Sequence, residues 1–343
     1  MLVLKDVAEV RELLDSSQNP LFFFDNDPDG LASFLLLRRC INNGKGVVIK
    51  SFPELNSTYI RKLHEFKPDC VFVLDKPLID PLFIEATRQL GIKLVWIDHH
   101  PPQQINEEIY YFNPLLNEQK TNEPVAYWCY KIAARKEDLW IALFGCLGDW
   151  FLPEFYTEFA KEYPDLFLDK VHNASEALYK TQIGKIAKIL SFALKDKTSN
   201  VIKMIKFLVQ IKSPYELLEE NTKTSSIYFR YNQINRKYIK LIEKARLLSA
   251  KKILFFQYGG DLSISGELAN ELFYMFPDRI ICVAFLKGNE ATVSFRANIN
   301  IRDKVAEAMN GIQGRSGGHK NACAAKLSVI DLPRLKENLE KLL

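Results

Sequence analysis

No part of this 343-residue chain stays apolar for the roughly 18–20 residues that a membrane-spanning helix needs. The opening stretch, "MLVLKDVAEVRELLDSS", carries acids among its leucines and lacks the basic-then-apolar order of a secretory signal, so a cytoplasmic location is expected. Cysteine is sparse: Cys40, Cys70, Cys129, Cys146, Cys282 and Cys323 form no CxxC pair and have no regular spacing. That excludes a disulfide framework or a zinc knuckle and predicts buried free thiols. Internal repeats and low-complexity tracts are also missing. What remains, 48% hydrophobic and 26% charged residues, is the composition of an ordinary globular protein.

The net charge of +4 is unevenly spread. Residues 1–200 carry a net of −5 and residues 201–343 a net of +9. An acidic half beside a basic half suits a cation site working next to a polyanion-binding surface, although solvated helix lysines produce the same count.

The first 150 residues alternate short apolar runs with helical periodicity. "LFFFD" (21–25), "GVVIKSF" (46–52), "CVFVLD" (70–75) and "KLVWID" (93–98) read as strands, and 30–42, 56–66 and 79–90 as helices between them. Near-continuous apolar strands separated by helices predict a doubly wound parallel sheet. "IYYFNP" (109–114) is expected at its edge, since Asn113-Pro114 ends the run. From 122 to 250 the pattern is helical, and a second α/β pattern follows, with strands "KKILFFQY", "RIICVAFLKG", "ATVSFRAN" and "CAAKLSVI" and helices at 264–276, 302–310 and 332–343. The predicted class is therefore α/β: a parallel, doubly wound N-terminal domain (1–215), a helical connector (216–250) and a smaller mixed α/β C-terminal domain (251–343).

The chemistry gathers at strand ends. Asp25 closes the first strand, with Asp27 and Asp29 in the turn after it and Gly30 starting the next helix. Asp75 closes "CVFVLD", "IDHHPP" supplies Asp98, His99 and His100, and "GCLGDW" places Asp149 behind a glycine. In open α/β sheets, ligands bind beyond the carboxyl ends of the strands, so these segments converge on one sheet edge. Taken singly, "DNDPDG" also reads as a solvated turn, Asp75 and Asp149 as helix caps and His99-His100 as a satisfied pair. Together, so many carboxylates tolerate one another only with cations among them. Carboxylate oxygens with one or two imidazoles suit Mn²⁺ or Mg²⁺. Five or six ligands exceed one ion's needs, and a pair of ions about 3.5–4 Å apart is the usual device for phosphoryl-ester hydrolysis.

"DNDPDG", Asp75, "DHH" at 98–100 and "GD" at 148–149 resemble the four ordered motifs of the DHH phosphoesterases. That superfamily includes RecJ-type single-strand exonucleases, oligoribonuclease and cyclic-dinucleotide phosphodiesterases, and manganese pyrophosphatases. "GRSGGHKNACAA" (314–325) resembles the glycine-rich GGH motif of the DHH-associated C-terminal domain, and "VSFRAN" (293–298) its phosphate-contacting strand. The resemblance implies Asp25 and Asp27 on one manganese, Asp29, His99 and Asp149 on the other, and Asp75 bridging the two. It further implies His100 on the scissile phosphate, Asp98 fixing an imidazole tautomer, and a metal-activated water as nucleophile. Arg296 would grip a neighbouring phosphate, and Gly317, Gly318 and His319 would form an anion-binding turn. A strand-surface arginine and a simple tight turn are the plain alternatives.

The sequence departs from the pattern in places. Motif two reads "DKP", Asp25 stands where many archaeal-type relatives have His, Ser316 replaces a preceding glycine, and Ala324-Ala325 stand where a closing glycine is usual. The length predicts the two-domain form without the oligonucleotide-binding-fold domain of bacterial RecJ.

The expected function is a Mn²⁺-dependent phosphodiesterase or exonuclease, with Mg²⁺ as a substitute. It would hydrolyse single-stranded DNA or RNA, or short oligonucleotides, to mononucleotides, in a cleft between the domains. Phe229, Tyr231 and Tyr238 are candidates for base stacking, or for plain helix packing. No membrane partner is expected, and replication or repair factors are candidate protein partners. Two rivals stand: a cyclic-dinucleotide or dinucleotide phosphodiesterase, and a non-catalytic DHH scaffold of a replication or repair complex.

Overall fold

The apolar run at 21–24 splits by alternation between the two faces of a sheet. Phe22 and Phe24 pack into one core with Phe72, Leu74, Val95 and Ile97. Leu21 and Phe23 pack into another with Val71, Val73, Leu94 and Trp96. Strands buried on both faces need helices on both faces, which is why periodicity 2 is absent from the sequence here.

A computed structural model describes residues 2–51, 53–105, 109–168, 170–248 and 252–343. The chain divides into two units, Met1–Tyr231 and Asn232–Leu343. In the first, helix α1 (Leu4–Ser16) precedes β1 (Pro20–Asp25), α2 (Pro28–Ile41), β2 (Lys45–Ile49), β3 (Glu54–Leu55), α3 (Ile60–Phe66), β4 (Cys70–Leu74), β5 (Leu78–Ile79), α4 (Pro81–Gln89), β6 (Lys93–Ile97) and β7 (Tyr110–Phe112). The main sheet has the order β2-β1-β4-β6-β7, with every pair parallel. The order reverses between β1 and β4, the position where open α/β sheets leave a crevice. β7 lies at the edge, as expected from Asn113-Pro114.

Helices α5 (Val125–Ala133) and α6 (Leu139–Gly148) pack with α2 into the larger core. Four more follow: α7 (Tyr156–Glu162), α8 (Ala174–Lys180), α9 (Gln182–Leu194) and α10 (Thr198–Gln210). The unit division falls inside α11 (Ser225–Arg246).

The second unit holds β8 (Ile253–Gly259), α12 (Ser265–Met275), β9 (Ile280–Lys287), β10 (Glu290–Arg296), α13 (Ile301–Ala308), β11 (Gly314–Gly318), β12 (Ala322–Ser328) and α14 (Leu332–Leu342). Its sheet has the order β11-β12-β10-β9-β8; β8 and β9 are parallel and the other pairs antiparallel, so it is mixed.

Several boundaries differ from the sequence reading for identifiable reasons. The helix expected from residue 30 starts at Pro28, because the Asp27 side chain caps it by accepting from the Gly30 amide. Asp29 is therefore in the first helical turn rather than in a loop. The strand expected over 46–52 ends at Ile49, and the Lys50 amide donates to Tyr59 Oη at 2.8 Å. Phe52, and Lys251 of the strand expected over 251–258, lie outside the described residues, as do positions 249 and 250 of the expected connector. Gly317 and Gly318, expected with His319 in a turn, lie in the edge strand β11 (Gly314–Gly318). All six cysteines are free thiols. No described helix is long and apolar enough to cross a membrane.

Candidate metal centre

Capping and a close approach set the first acids. Asp27 caps α2 with Oδ1 2.9 Å from the Gly30 amide. A side chain at Gly30 would put its Cβ 2.6 Å from the Asp25 carbonyl oxygen, so only glycine lets α2 start this near the end of β1. Asp29 is fully buried, and its carboxylate accepts from the first two amides of α5, Val125 at 2.8 Å and Ala126 at 2.6 Å. A helix N-terminus offers unpaired donors and partial positive charge, which suits this anion.

Asp75 follows β4 with φ of 57°, a left-handed conformation that is uncommon for a residue bearing a side chain. Its amide donates to the Ile97 carbonyl, which anchors it beside β6. From the end of β6 come Asp98, His99 and His100. His99 Nε2 lies 3.1 Å from Asp149 Oδ2 and 3.4 Å from Asp75 Oδ1. His100 Nδ1 is 2.8 Å from Asp98 Oδ1 and 3.9 Å from Asp75 Oδ1. Asp98 Oδ2 also accepts the His100 amide at 3.1 Å, so Asp98 holds both ring and backbone of its neighbour. Asp149 is the C-cap of α6.

The expected cluster of Asp25, Asp27, Asp29, Asp75, Asp98, His99, His100 and Asp149 thus converges within the first unit. Asp29, His99 and Asp149 have ligand atoms within 4.8 Å of one another, and so do Asp75, Asp98 and His100.

The electrostatics are those of crowded anions. Burial, then the charges of Asp75, Asp25, Asp149 and Asp29, push the Asp27 carboxyl well above the usual range. Burial, then Asp75 and Asp149, do the same to Asp29. Burial also raises Asp25, although Lys76 opposes it. At Asp75 burial works against the anion, yet His99 and His100 outweigh it and bring the pKa down to about 2. Burial likewise disfavours a charged His99, but Asp149 and Asp75 outweigh that and raise it well above an ordinary histidine.

Whether this set fits divalent cations is tested by one atom. Asp75 Oδ1 is buried and accepts no well-formed hydrogen bond, His99 Nε2 being 3.4 Å away. A carboxylate oxygen left in that condition is costly unless a cation takes it up. The donors are hard oxygens and imidazole, with no cysteine in the ligand groups among the described residues. They fit Mn²⁺ or Mg²⁺.

Two contributors were not singled out from the sequence. Lys76 is fully buried, with Nζ 2.9 Å from Asp25 Oδ1. Its signal was the lysine in "DKP". Asn113, buried, donates to the His100 carbonyl at 2.9 Å and to Tyr111 Oη at 3.0 Å. The Asn-Pro dipeptide read as a strand end is thus also a clamp on the histidine loop.

In the second unit, Arg296 ends β10 opposite Ala322, and Gly318 pairs with Cys323, so both reach the same end of β12. Arg296 donates from Nε to Asn270 Oδ1 at 2.5 Å and from Nη1 to the Phe295 carbonyl at 2.8 Å. Gly317 and Gly318 are exposed in β11. The His319 amide closes a hairpin by donating to the Ala322 carbonyl at 2.8 Å. Of the three aromatic candidates, Tyr238 is buried with its hydroxyl on Glu271, Tyr231 stacks on Phe192, and Phe229 is 72% exposed.

Residues 249–343 match the family model of the DHHA1 domain. No curated protein matches the sequence. Among solved structures, the chain is similar to RecJ from Thermus thermophilus in complex with Mn²⁺, at a TM-score of 0.67 and 15% identity over 99% of this chain and 55% of that one. It therefore spans little more than half the length of that relative. It is also similar to exonuclease RecJ bound to manganese, at a TM-score of 0.62 and 15% identity over 99% and 95% of the two chains. A third match is the DHH domain of a protein from a ribosomal-protein family, at 0.68 and 17% over 98% and 89%. The chain thus shares the fold of these RecJ and DHH-domain structures, and its residues 249–343 match the DHHA1 domain.

Proposed function

We propose that this chain is a divalent-cation-dependent phosphodiesterase that removes mononucleotides from single-stranded nucleic acid or short oligonucleotides. The observation that carries the reading is the buried Asp75 oxygen without a well-formed hydrogen bond, set between His99 and His100. In this reading Asp25, Asp27, Asp29, Asp75, His99 and Asp149 hold Mn²⁺, or Mg²⁺ as a substitute. Bound there, the metal would supply charge neutralisation and a more acidic water. The protein's own groups do the rest. Asp29, fixed by two backbone amides, keeps the first turn of α2 in place. Asp98 holds the His100 ring, so that its other nitrogen faces a phosphate oxygen with a set tautomer. The first unit is the catalytic one, and in the DHHA1 domain Arg296, Gly317, Gly318 and His319 hold substrate phosphates.

The similarity to a manganese-bound RecJ exonuclease supports the choice of metal and of substrate class. The test uses the purified chain with labelled DNA, RNA and dinucleotide substrates, 5′- or 3′-blocked, in Mn²⁺, Mg²⁺ or EDTA. Stepwise release of mononucleotides in Mn²⁺, abolished by EDTA, is the expected result. Turnover of the dinucleotide alone would move the assignment to a dinucleotide phosphodiesterase, and no cleavage of any strand would favour the scaffold.

A further inference from the structure

Lys76 is an unusual neighbour for a metal centre. Its side chain is 0% exposed, and its ammonium sits 2.9 Å from Asp25 Oδ1. The same oxygen accepts the Asn26 amide at 2.8 Å, so it already has two donors. The lysine backbone is pinned as well, since the Lys76 carbonyl accepts from Trp96 Nε1 at 2.8 Å inside the core. A side chain held at its base and covered along its length has no route to water, and a buried ammonium needs an anion beside it. Asp25 supplies that carboxylate, while Asp75 lies beside the imidazoles of His99 and His100.

We propose that the Lys76 ammonium takes the place of one cation in this site, so that the chain binds one divalent ion rather than a pair. Asp25 is then the lysine's counter-ion, and Asp27, Asp29, Asp75, His99 and Asp149 serve the single metal. The inference rests on the metal-centre reading above and revises both its stoichiometry and its ligand set, since Asp25 leaves the metal for Lys76. One fixed positive charge beside one exchangeable ion leaves the acids compensated with fewer metals. It also makes part of that compensation independent of metal supply.

The test is metal stoichiometry, read by equilibrium dialysis with elemental analysis and by electron paramagnetic resonance of Mn²⁺. The wild-type chain is expected to saturate at one Mn²⁺ with the spectrum of an isolated ion. Lys76→Ala, which frees Asp25 and vacates the space of the ammonium, is expected to take up a second ion with a spin-coupled spectrum. Lys76→Arg keeps the charge and is expected to stay at one. Two coupled ions in the wild type would overturn the proposal while leaving the metal centre intact. One ion in both wild type and Lys76→Ala would overturn it too, because Lys76 would not then be what limits the count. No binding by any form would sink the metal reading itself. Should Lys76→Ala fail to fold, the wild-type count and spectrum decide.

Discussion

Asp29 Oδ1 accepts the amide of Ala126 across 2.6 Å, joining residues 97 positions apart at the N-terminus of α5. The pair fixes α2 to α5 at the point where the acids gather. Asp29→Asn leaves one oxygen for two amides and sets an NH2 against a donor. We expect a loss of about 1–3 kcal/mol, the cost of an unsatisfied buried donor. Denaturant unfolding of wild type and variant measures it, and an unchanged midpoint would contradict the assigned role.

Gly30→Ala tests the close approach of α2 to β1. The added Cβ would lie 2.6 Å from Asp25 O and 2.7 Å from Asp25 N, both backbone atoms that cannot swing aside. Overpacking of this kind costs about 1–3 kcal/mol. Mn²⁺ affinity is expected to fall with stability, because the displaced turn carries Asp27 and Asp29. Isothermal titration reads the affinity.

Asp98→Ala should separate positioning from metal binding. Asp98 holds the His100 ring and amide by hydrogen bonds. Loss of such a partner is expected to lower kcat by about 10–100-fold. Metal content should stay at the wild-type value, and a fall in content would mean that Asp98 is itself a ligand.

Far from the metal centre, Arg39 pairs with the fully buried Asp138 at 2.7 Å and donates to the carbonyls of Leu208, Val209 and Ile211. Asp138→Ala leaves the buried Arg39 guanidinium without its carboxylate and removes one of the two acids paired with Arg135, the other being Glu137. Removing one partner of a buried pair costs about 3–5 kcal/mol. The thermal midpoint should drop accordingly, while the proposed metal ligands are untouched.

A pH effect is expected at Asp69. Burial works against its anion, but the Ser17 hydroxyl and the Gln18 and Asn19 amides outweigh it and hold the pKa below the ordinary value. A depressed folded-state pKa stabilises above the unfolded value near pH 4, and that contribution is lost as pH falls through the folded value. Asp69→Asn should therefore lower Tm at pH 7, by no more than about 2–4 °C for a solvent-screened group, and the gap to wild type should close as pH falls through the folded-state value. A gap that persists in acid would show that the anion is not what matters.

How far the sequence was readable depends on the range of the interaction. The strands at 21–25, 70–75 and 93–98 announced themselves by apolar runs, and the metal-centre acids by their position at the ends of those runs. Each is a local signal. The amides that hold Asp29 belong to a helix 96 positions away, and nothing near Asp29 points to them. Lys76 stood in plain view in "DKP", yet charge alone would have sent it to the surface. The GGH run was expected to form a turn from its resemblance to the family motif, whereas pairing with Ala324 and Cys323 draws Gly317 and Gly318 into a strand. Asp75 at φ of 57° is set by the surrounding backbone and has no signature in composition.

β1 is coated with aromatic and aliphatic groups on both sides. Slipping it by one position against β2 and β4 would exchange Leu21 and Phe23 for Phe22 and Phe24, and grease would meet grease either way. The strand's alignment is therefore policed at its tip, where Asp25 meets Lys76 and Gly30 admits no error. The residues of the candidate metal centre thus double as the index mark by which the sheet is laid down.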